Sequence, residues 1–138
     1  MLPERQLRYR QKMNFIIEKI KALPLNPANP TEVDSIMYRI LLAIEAAMDL
    51  VAMAVKDKGY TVGDDYHNIE HLVVLKVLSS SLGEELKKLN GLRNAIVHKY
   101  NKFEEEVVLK RVEQITEILI SFLKSLEHEL KIIARNKK

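Results

Sequence analysis

The sequence has no cysteine and no tryptophan, and only four glycines and four prolines among its 138 residues. Without cysteine there is no disulfide scaffold, no thiolate nucleophile and no Cys-based zinc site. So little glycine and proline excludes a loop-rich or collagen-like chain. A long uninterrupted apolar run is also missing. The greasiest stretch, residues 40–55, is broken by Glu45 and Asp49, which excludes a membrane span. The opening residues Met1-Leu2-Pro3-Glu4-Arg5 run into charge rather than into the apolar core of a signal peptide. These features predict a cytoplasmic protein with no membrane attachment. The excess of positive over negative charge is small too: 22 Lys and Arg against 19 Asp and Glu leave a formal +3. Such a balance permits an anionic partner such as RNA without demanding one, because clustering on a face is what matters.

What is present is apolar periodicity. At 47% hydrophobic residues the chain is too apolar for disorder. A chain of ~150 residues buries roughly 68–70% of its unfolded surface, so residues 1–138 are expected to form one domain. Met13, Ile16, Ile20 and Leu23 form the stripe of a first helix over residues 4–23. Pro24, Pro27 and Pro30 end it and make an extended linker, so residues 1–30 precede a core over 31–134. The P-x-x-P spacing also fits an SH3-type ligand, but a bare connector is the better reading. Thr31 reads as an N-cap with Asp34 as its capping-box acid. A second helix then carries Met37, Leu41, Ile44, Met48, Val51 and Val55 at alternating spacings of four and three. Gly59 and Gly63 mark a turn. A third helix begins near Asp65 with Ile69, Leu72, Val73 and Val77 inward. Ser79-Ser80-Ser81 caps a fourth, with Leu82, Leu86, Leu89 and Ile96 inward, and Asn101, with Glu104 three residues on, caps a long last helix whose stripe runs from Val108 to Ile133. No alternating strand pattern occurs. The predicted fold is all-α, an up-and-down bundle of four main helices and one shorter helix.

Three polar constellations break this pattern. His67-Asn68-Ile69-Glu70-His71 spells H-x-x-E-H, and histidines four apart share a helix face and can grip zinc. That chemistry needs a third ligand from a larger catalytic domain. Two exposed turns at a helix start, with acids complementing its dipole, account for the segment more simply. Glu45 and Asp49 lie four apart inside the most apolar helix, where an unpaired buried carboxylate is costly. They lie either on a solvent face or against another helix, whose approach Ala46 and Ala47 would allow. The third constellation is Gly91-Leu92-Arg93-Asn94-Ala95-Ile96-Val97-His98-Lys99-Tyr100. Arg93 stands where an apolar residue was due. Asn94 and His98 share a face, as do Arg93 and Tyr100, whereas Arg93 and His98 stand roughly 140° apart on an ideal helix. Taken alone, the segment favours a structural account, with Arg93 paired to Glu45 or Glu104 and His98 capping the helix end.

The same residues have a family parallel. Arg93-Asn94-x3-His98-x-Tyr100 closely resembles the R-N-x3-H-x-Y signature of HEPN-domain ribonucleases of the HepT type. Leu89-Asn90-Gly91-Leu92 before it, Phe103 and the long amphipathic helix after it, and Ala43-Ile44-Glu45-Ala46 upstream resemble the family's flanks from Thr31 onward. The loop Val62-Gly63-Asp64-Asp65-Tyr66 departs from the pattern in lacking a proline. The resemblance implies a HEPN-like bundle that forms homodimers with both motifs facing one cleft. It implies a metal-independent RNA endonuclease, the toxin of a type VII-like toxin–antitoxin pair. Its partner would be a minimal nucleotidyltransferase antitoxin that transfers AMP from ATP onto Tyr100, so the chain itself would need no cofactor or metal.

The chemistry suits those residues. RNA carries its own nucleophile in the 2′-hydroxyl, so cleavage requires a proton acceptor, charge stabilisation and alignment. An imidazole, with a reference pKa of ~6.5, suits His98 to general acid–base work. The fixed charge and planar fork of Arg93 fit a phosphate or its pentacovalent transition state. Asn94 is expected to bind the phosphate or hold His98, with Glu45 and Asp49 in support. Lys87, Lys88, Lys99 and Lys102 are expected to attract backbone phosphates of a tRNA or mRNA. AMP on Tyr100 would add negative charge and bulk there. The alternative is a HEPN-type nucleotide- or RNA-binding module, or a nucleotidyltransferase's partner subunit, with no cleavage of its own.

Overall fold

The structure, a computed structural model, describes residues 1–24, 26–99 and 102–136, and for Lys99, Lys102, Phe103 and residues 134–136 the backbone alone. Among the described residues there are six helices and no strand: α1 (Pro3–Lys21), α2 (Pro30–Asp57), α3 (Asp65–Val74), α4 (Ser80–Lys99), α5 (Lys102–Lys110) and α6 (Val112–Asn136). None of them is long and apolar enough to cross a membrane.

The axis of the core is α2, which packs against α1, α3, α4, α5 and α6. Its apolar residues from Ile36 to Val55 are mostly buried, with Tyr38 and Asp49 turned outward, and residues at 0% exposure include Ile36, Ile40, Ile44, Leu50 and Val51. Each fully buried Ile or Leu contributes roughly 1.5–3 kcal/mol of transfer free energy, so this one helix carries much of the hydrophobic stabilisation. The stripe Tyr9, Met13, Ile16 and Ile20 on α1 and the stripe Val112, Ile115, Leu119, Phe122 and Leu126 on α6 close over it. Tyr9 is buried at 1% exposure, and its hydroxyl donates to Asp57 Oδ2 at 2.7 Å, tying α1 to the end of α2.

Local chemistry explains most boundaries and corrects two expectations. The cap of α2 is Asn29, not Thr31: its side chain accepts from the Glu32 N–H at 2.9 Å, while Glu32 Oε2 accepts from the Ala28 N–H at 3.3 Å. Pro30 then occupies the first helical position, where its missing N–H costs nothing, and Thr31 and Asp34 fall inside the helix. At the other end Gly59 takes a left-handed φ of 88° directly after the C-cap Lys58. The expected cap Ser79 is present, accepting from the Leu82 N–H at 3.1 Å. The expected cap Asn101 lies outside the described residues.

The long last helix is two helices, which raises the total from four plus one short to six. The break falls at Arg111, whose N–H donates to the Val108 carbonyl at 3.0 Å and whose own carbonyl accepts from Ile115 at 2.8 Å. Val108, Val112 and Ile115 stay buried across it, so the apolar period runs on through the break. Helices α3 and α4 approach closely at Gly83, where a Cβ would stand 2.4 Å from Val73 Cγ2.

Candidate functional site

The site is built where α4 crosses α2 and the start of α3. Arg93 on α4 donates through Nη2 to Glu45 Oε1 at 3.1 Å and through Nη1 to Asn94 Oδ1 at 2.9 Å. Both members of the ion pair are partly open to solvent, with side-chain exposures of 29% for Arg93 and 38% for Glu45. They line a cleft of about 230 Å³ with Met48, Asp49 and Asp65. Three acids thus line the cleft with one guanidinium. Asp65 titrates above the usual carboxylate range, chiefly because burial disfavours its charged form. The Arg93 charge works against that rise, while Asp49 and Asp64 add to it.

The wall from α3 is set by its N-terminal loop. Asp64 caps the helix, accepting from the His67 N–H at 2.8 Å. Asn68, buried at 2% exposure, grips Gly63 twice: its Oδ1 accepts from the Gly63 N–H at 2.8 Å and its Nδ2 donates to the Gly63 carbonyl at 3.1 Å. Between these two anchors lie Asp65 and Tyr66. The Tyr66 hydroxyl reaches α4 at Gly91, 3.5 Å from where a Cβ would stand.

His98 lies in the last turn of α4 and is exposed, five residues and roughly 140° beyond Arg93. Asn94 bonds Arg93 rather than His98. Asp49 points outward at 63% side-chain exposure, with Lys12 Nζ of α1 at 3.4 Å. Lys87 is held by two acids, Glu70 at 2.6 Å and Glu84 at 3.2 Å, and these raise its pKa. Lys88 pairs with Glu85 at 3.8 Å and lines a different cleft, with Leu92 and Arg111. Tyr100 lies outside the described residues, as do the side chains of Lys99 and Lys102. Of the two expected partners for Arg93, Glu45 is the one found, while Glu104 is buried at the start of α5.

The H-x-x-E-H segment has structural uses. His67 and His71 pack edge to face at 5.3 Å, Tyr60 tilts against His71 at 4.7 Å, and Glu70 binds Lys87. Among the described residues no group of three or more His, Asp or Glu is arranged to hold a metal ion.

A family model described as "Ribonuclease HepT-like" matches residues 10–126, a span that includes Glu45, Arg93, Asn94, His98 and Tyr100. The chain belongs to the HepT-like ribonuclease family. The resemblance carried by the α4 motif is thereby confirmed at the level of the family. A protein of Archaeoglobus fulgidus named "Putative RNase" is 43% identical over 129 residues, covering 94% of this chain and 98% of that relative. Among solved structures, a chain of the toxin–antitoxin MntA-HpeT superposes with a TM-score of 0.78 at 20% identity, over 87% of this chain and 98% of that one. A tri-AMPylated Shewanella oneidensis HEPN toxin in complex with an MNT antitoxin gives 0.69 at 19% identity, over 93% and 99%. At those identities the two superpositions establish a shared HEPN-like fold.

Sequence reasoning missed Asp65, Tyr66 and the clamp role of Asn68. Asp64-Asp65 following Gly63 was the available signal, since an acid after a glycine turn is a common helix start. Nothing local tells which of two adjacent acids caps and which faces Arg93.

Proposed function

We propose that this HepT-like chain is a metal-independent RNA endonuclease, the toxin of a type VII-like toxin–antitoxin pair, acting as a homodimer. The observation that carries the reading is Arg93. It is a guanidinium within the family's motif, fixed by Glu45 and Asn94 and presented at an open cleft. A pre-oriented fork of this kind suits the charge that develops on a phosphodiester during transfer. In the proposed reaction His98 takes the proton from the ribose 2′-hydroxyl, O2′ attacks phosphorus, and the 5′-oxygen leaves with a proton. The products are a 2′,3′-cyclic phosphate and a 5′-hydroxyl. Because Arg93 and His98 diverge around α4, a second subunit facing the first is what would bring both groups to one linkage. In this reading Asn94 and Glu45 position Arg93. A nucleotidyltransferase partner neutralises the toxin by moving AMP from ATP to the Tyr100 oxygen, placing a phosphate where substrate phosphate would bind. The complexes formed by the solved neighbours with their antitoxins support such a partner.

The test is cleavage of total RNA in EDTA by the wild type and by folded Arg93→Ala and His98→Ala variants. Cyclic-phosphate ends that vanish in both variants are expected. Cleavage that needs added metal, or that survives both substitutions, overturns the reading. One observation favours the rival, a non-catalytic nucleotide- or RNA-binding module: Arg93 already has two protein partners, as a structural staple would. Calorimetric binding of RNA or ATP with no turnover would select it.

A further inference from the structure

A second cleft, of about 450 Å³, lies between the first half of α1 and the second half of α2, and the ribonuclease chemistry does not use it. Its lining is Arg5, Arg8 and Lys12 from α1, Asp49, Ala52, Met53 and Lys56 from α2, and Val62 from the following loop. The spacings put each set on one helix face: positions 5, 8 and 12 on α1, and 49, 52, 53 and 56 on α2. Four cations thus stand against one acid. Arg5 is bound to Asp57 at 2.9 Å, and Lys12 stands 3.4 Å from Asp49. Arg8 and Lys56 are exposed, and neither is paired with an acid among the described residues. Such a cluster concentrates positive potential, and two of its four charges have no internal anion among the described residues to answer them.

Its position gives the charge a use. Asp49 lines both this cleft and the one holding Arg93, so the two meet at that residue. A bare carboxylate at the junction would repel a polyanion, but Lys12 sits beside it. Ala52, Met53 and Val62 give the basic cleft an apolar floor against which a ribose or base can rest. The family match begins at residue 10, so Arg5 and Arg8 come from a part of the chain outside it.

We infer that this basic cleft is a substrate subsite, binding backbone phosphates of the RNA strand that flank the linkage presented to Arg93. The inference rests on the ribonuclease reading for its substrate, but its test does not depend on turnover. The probe is a fluorescein-labelled 2′-O-methyl oligoribonucleotide, which lacks the attacking hydroxyl, and affinity is read by anisotropy across a salt series. Reversing the two unpaired cations, Arg8→Glu with Lys56→Glu, should weaken binding by about tenfold or more and flatten the salt slope by about 1.4, at ~0.7 per phosphate contact on a single strand. A charge-matched control, Lys124→Glu with Lys131→Glu on the exposed side of α6, should change neither by as much. The inference is overturned by an unchanged affinity and slope in the Arg8/Lys56 variant, whether or not that variant loses a protein partner. Equal weakening in both variants also overturns it, since net charge alone would then be responsible. If the wild type binds in the expected way yet never cleaves RNA, the subsite stands and the nuclease reading falls. Cleavage without the binding difference is the reverse result.

Discussion

Arg93 and Glu45, 48 positions apart in the chain, meet at 3.1 Å where α4 crosses α2. Each is about a third exposed, so solvent screens the attraction and the pair adds at most about 1 kcal/mol to stability. Its stronger effect is geometric, because a guanidinium held on one side by a carboxylate and on the other by Asn94 has little freedom to turn. Glu45→Ala should therefore lower single-turnover RNA cleavage by roughly tenfold, equivalent to ~1.4 kcal/mol of transition-state stabilisation. Urea unfolding should shift by no more than about 1 kcal/mol. A large loss of stability with cleavage intact would make the pair a staple between helices and nothing more.

The carboxyl of Asp65 gives the cleft a pH signature. Burial raises its pKa, and Arg93 holds the rise in check. A carboxylate whose folded pKa is raised stabilises the fold in its protonated form, so its contribution is present in acid and is lost as pH rises through the folded value. Asp65→Asn, which keeps the neutral form at every pH, should then match the wild type in acid and melt a few degrees higher at neutral pH. The gain is small because the group is only partly buried and sits in the first turn of α3, where a negative charge is favoured. In Arg93→Ala the Asp65 pKa should climb further, read directly by carboxyl-carbon NMR titration. A fall would mean that Arg93 does not face it.

Periodicity made the helical class legible. Stripes such as Met37, Ile44, Met48, Val51 and Val55 on α2 are buried as their spacing requires. The motif residues were legible as residues, and the Arg93–Glu45 contact was one of two pairings open to Arg93. The rest depended on features that spacing does not encode. A buried stripe continues through the turn at Arg111, so one helix and two look alike. Glu84 and Glu85, three positions before Lys87 and Lys88, were a local sign that these cations are paired, whereas Glu70 reaches Lys87 only through the packing of α3 on α4. The cation-lined cleft was invisible because its charges come from two helices whose mutual rotation the sequence does not state.

That same packing of α3 on α4 makes a sharp test of Gly83. In an exposed helix interior, Gly to Ala stabilises by up to about 1 kcal/mol. At Gly83 the added methyl would meet Val73 Cγ2 at 2.4 Å, so the stiff valine side chain or α3 must shift. Gly83→Ala should destabilise by about 1–3 kcal/mol in urea, the range for overpacking. Adding Val73→Ala removes the obstructing methyl, and the double variant should recover part of the loss. If Gly83→Ala is as stable as the wild type, Val73 gives way without cost and the contact there is not close-packed.

Asn68 links stability to the site most directly. Its buried amide serves both the N–H and the carbonyl of Gly63, and the segment so fixed carries Asp65 to the cleft wall beside Arg93 and Tyr66 to Gly91. Asn68→Ala strips both backbone groups of their partner, at about 1–3 kcal/mol for each one left buried and unsatisfied. Water can reach the loop from outside, so the net loss should fall at the lower end of that range. Hydrogen exchange at the Gly63 amide should accelerate far more than exchange at Leu119, deep in α6, which reports global unfolding. Cleavage should fall with it, since Asp65, which lines the cleft with Arg93, loses its fixed position. If Gly63 and Leu119 accelerate by the same factor, Asn68 stabilises the whole bundle evenly and does not hold the cleft wall.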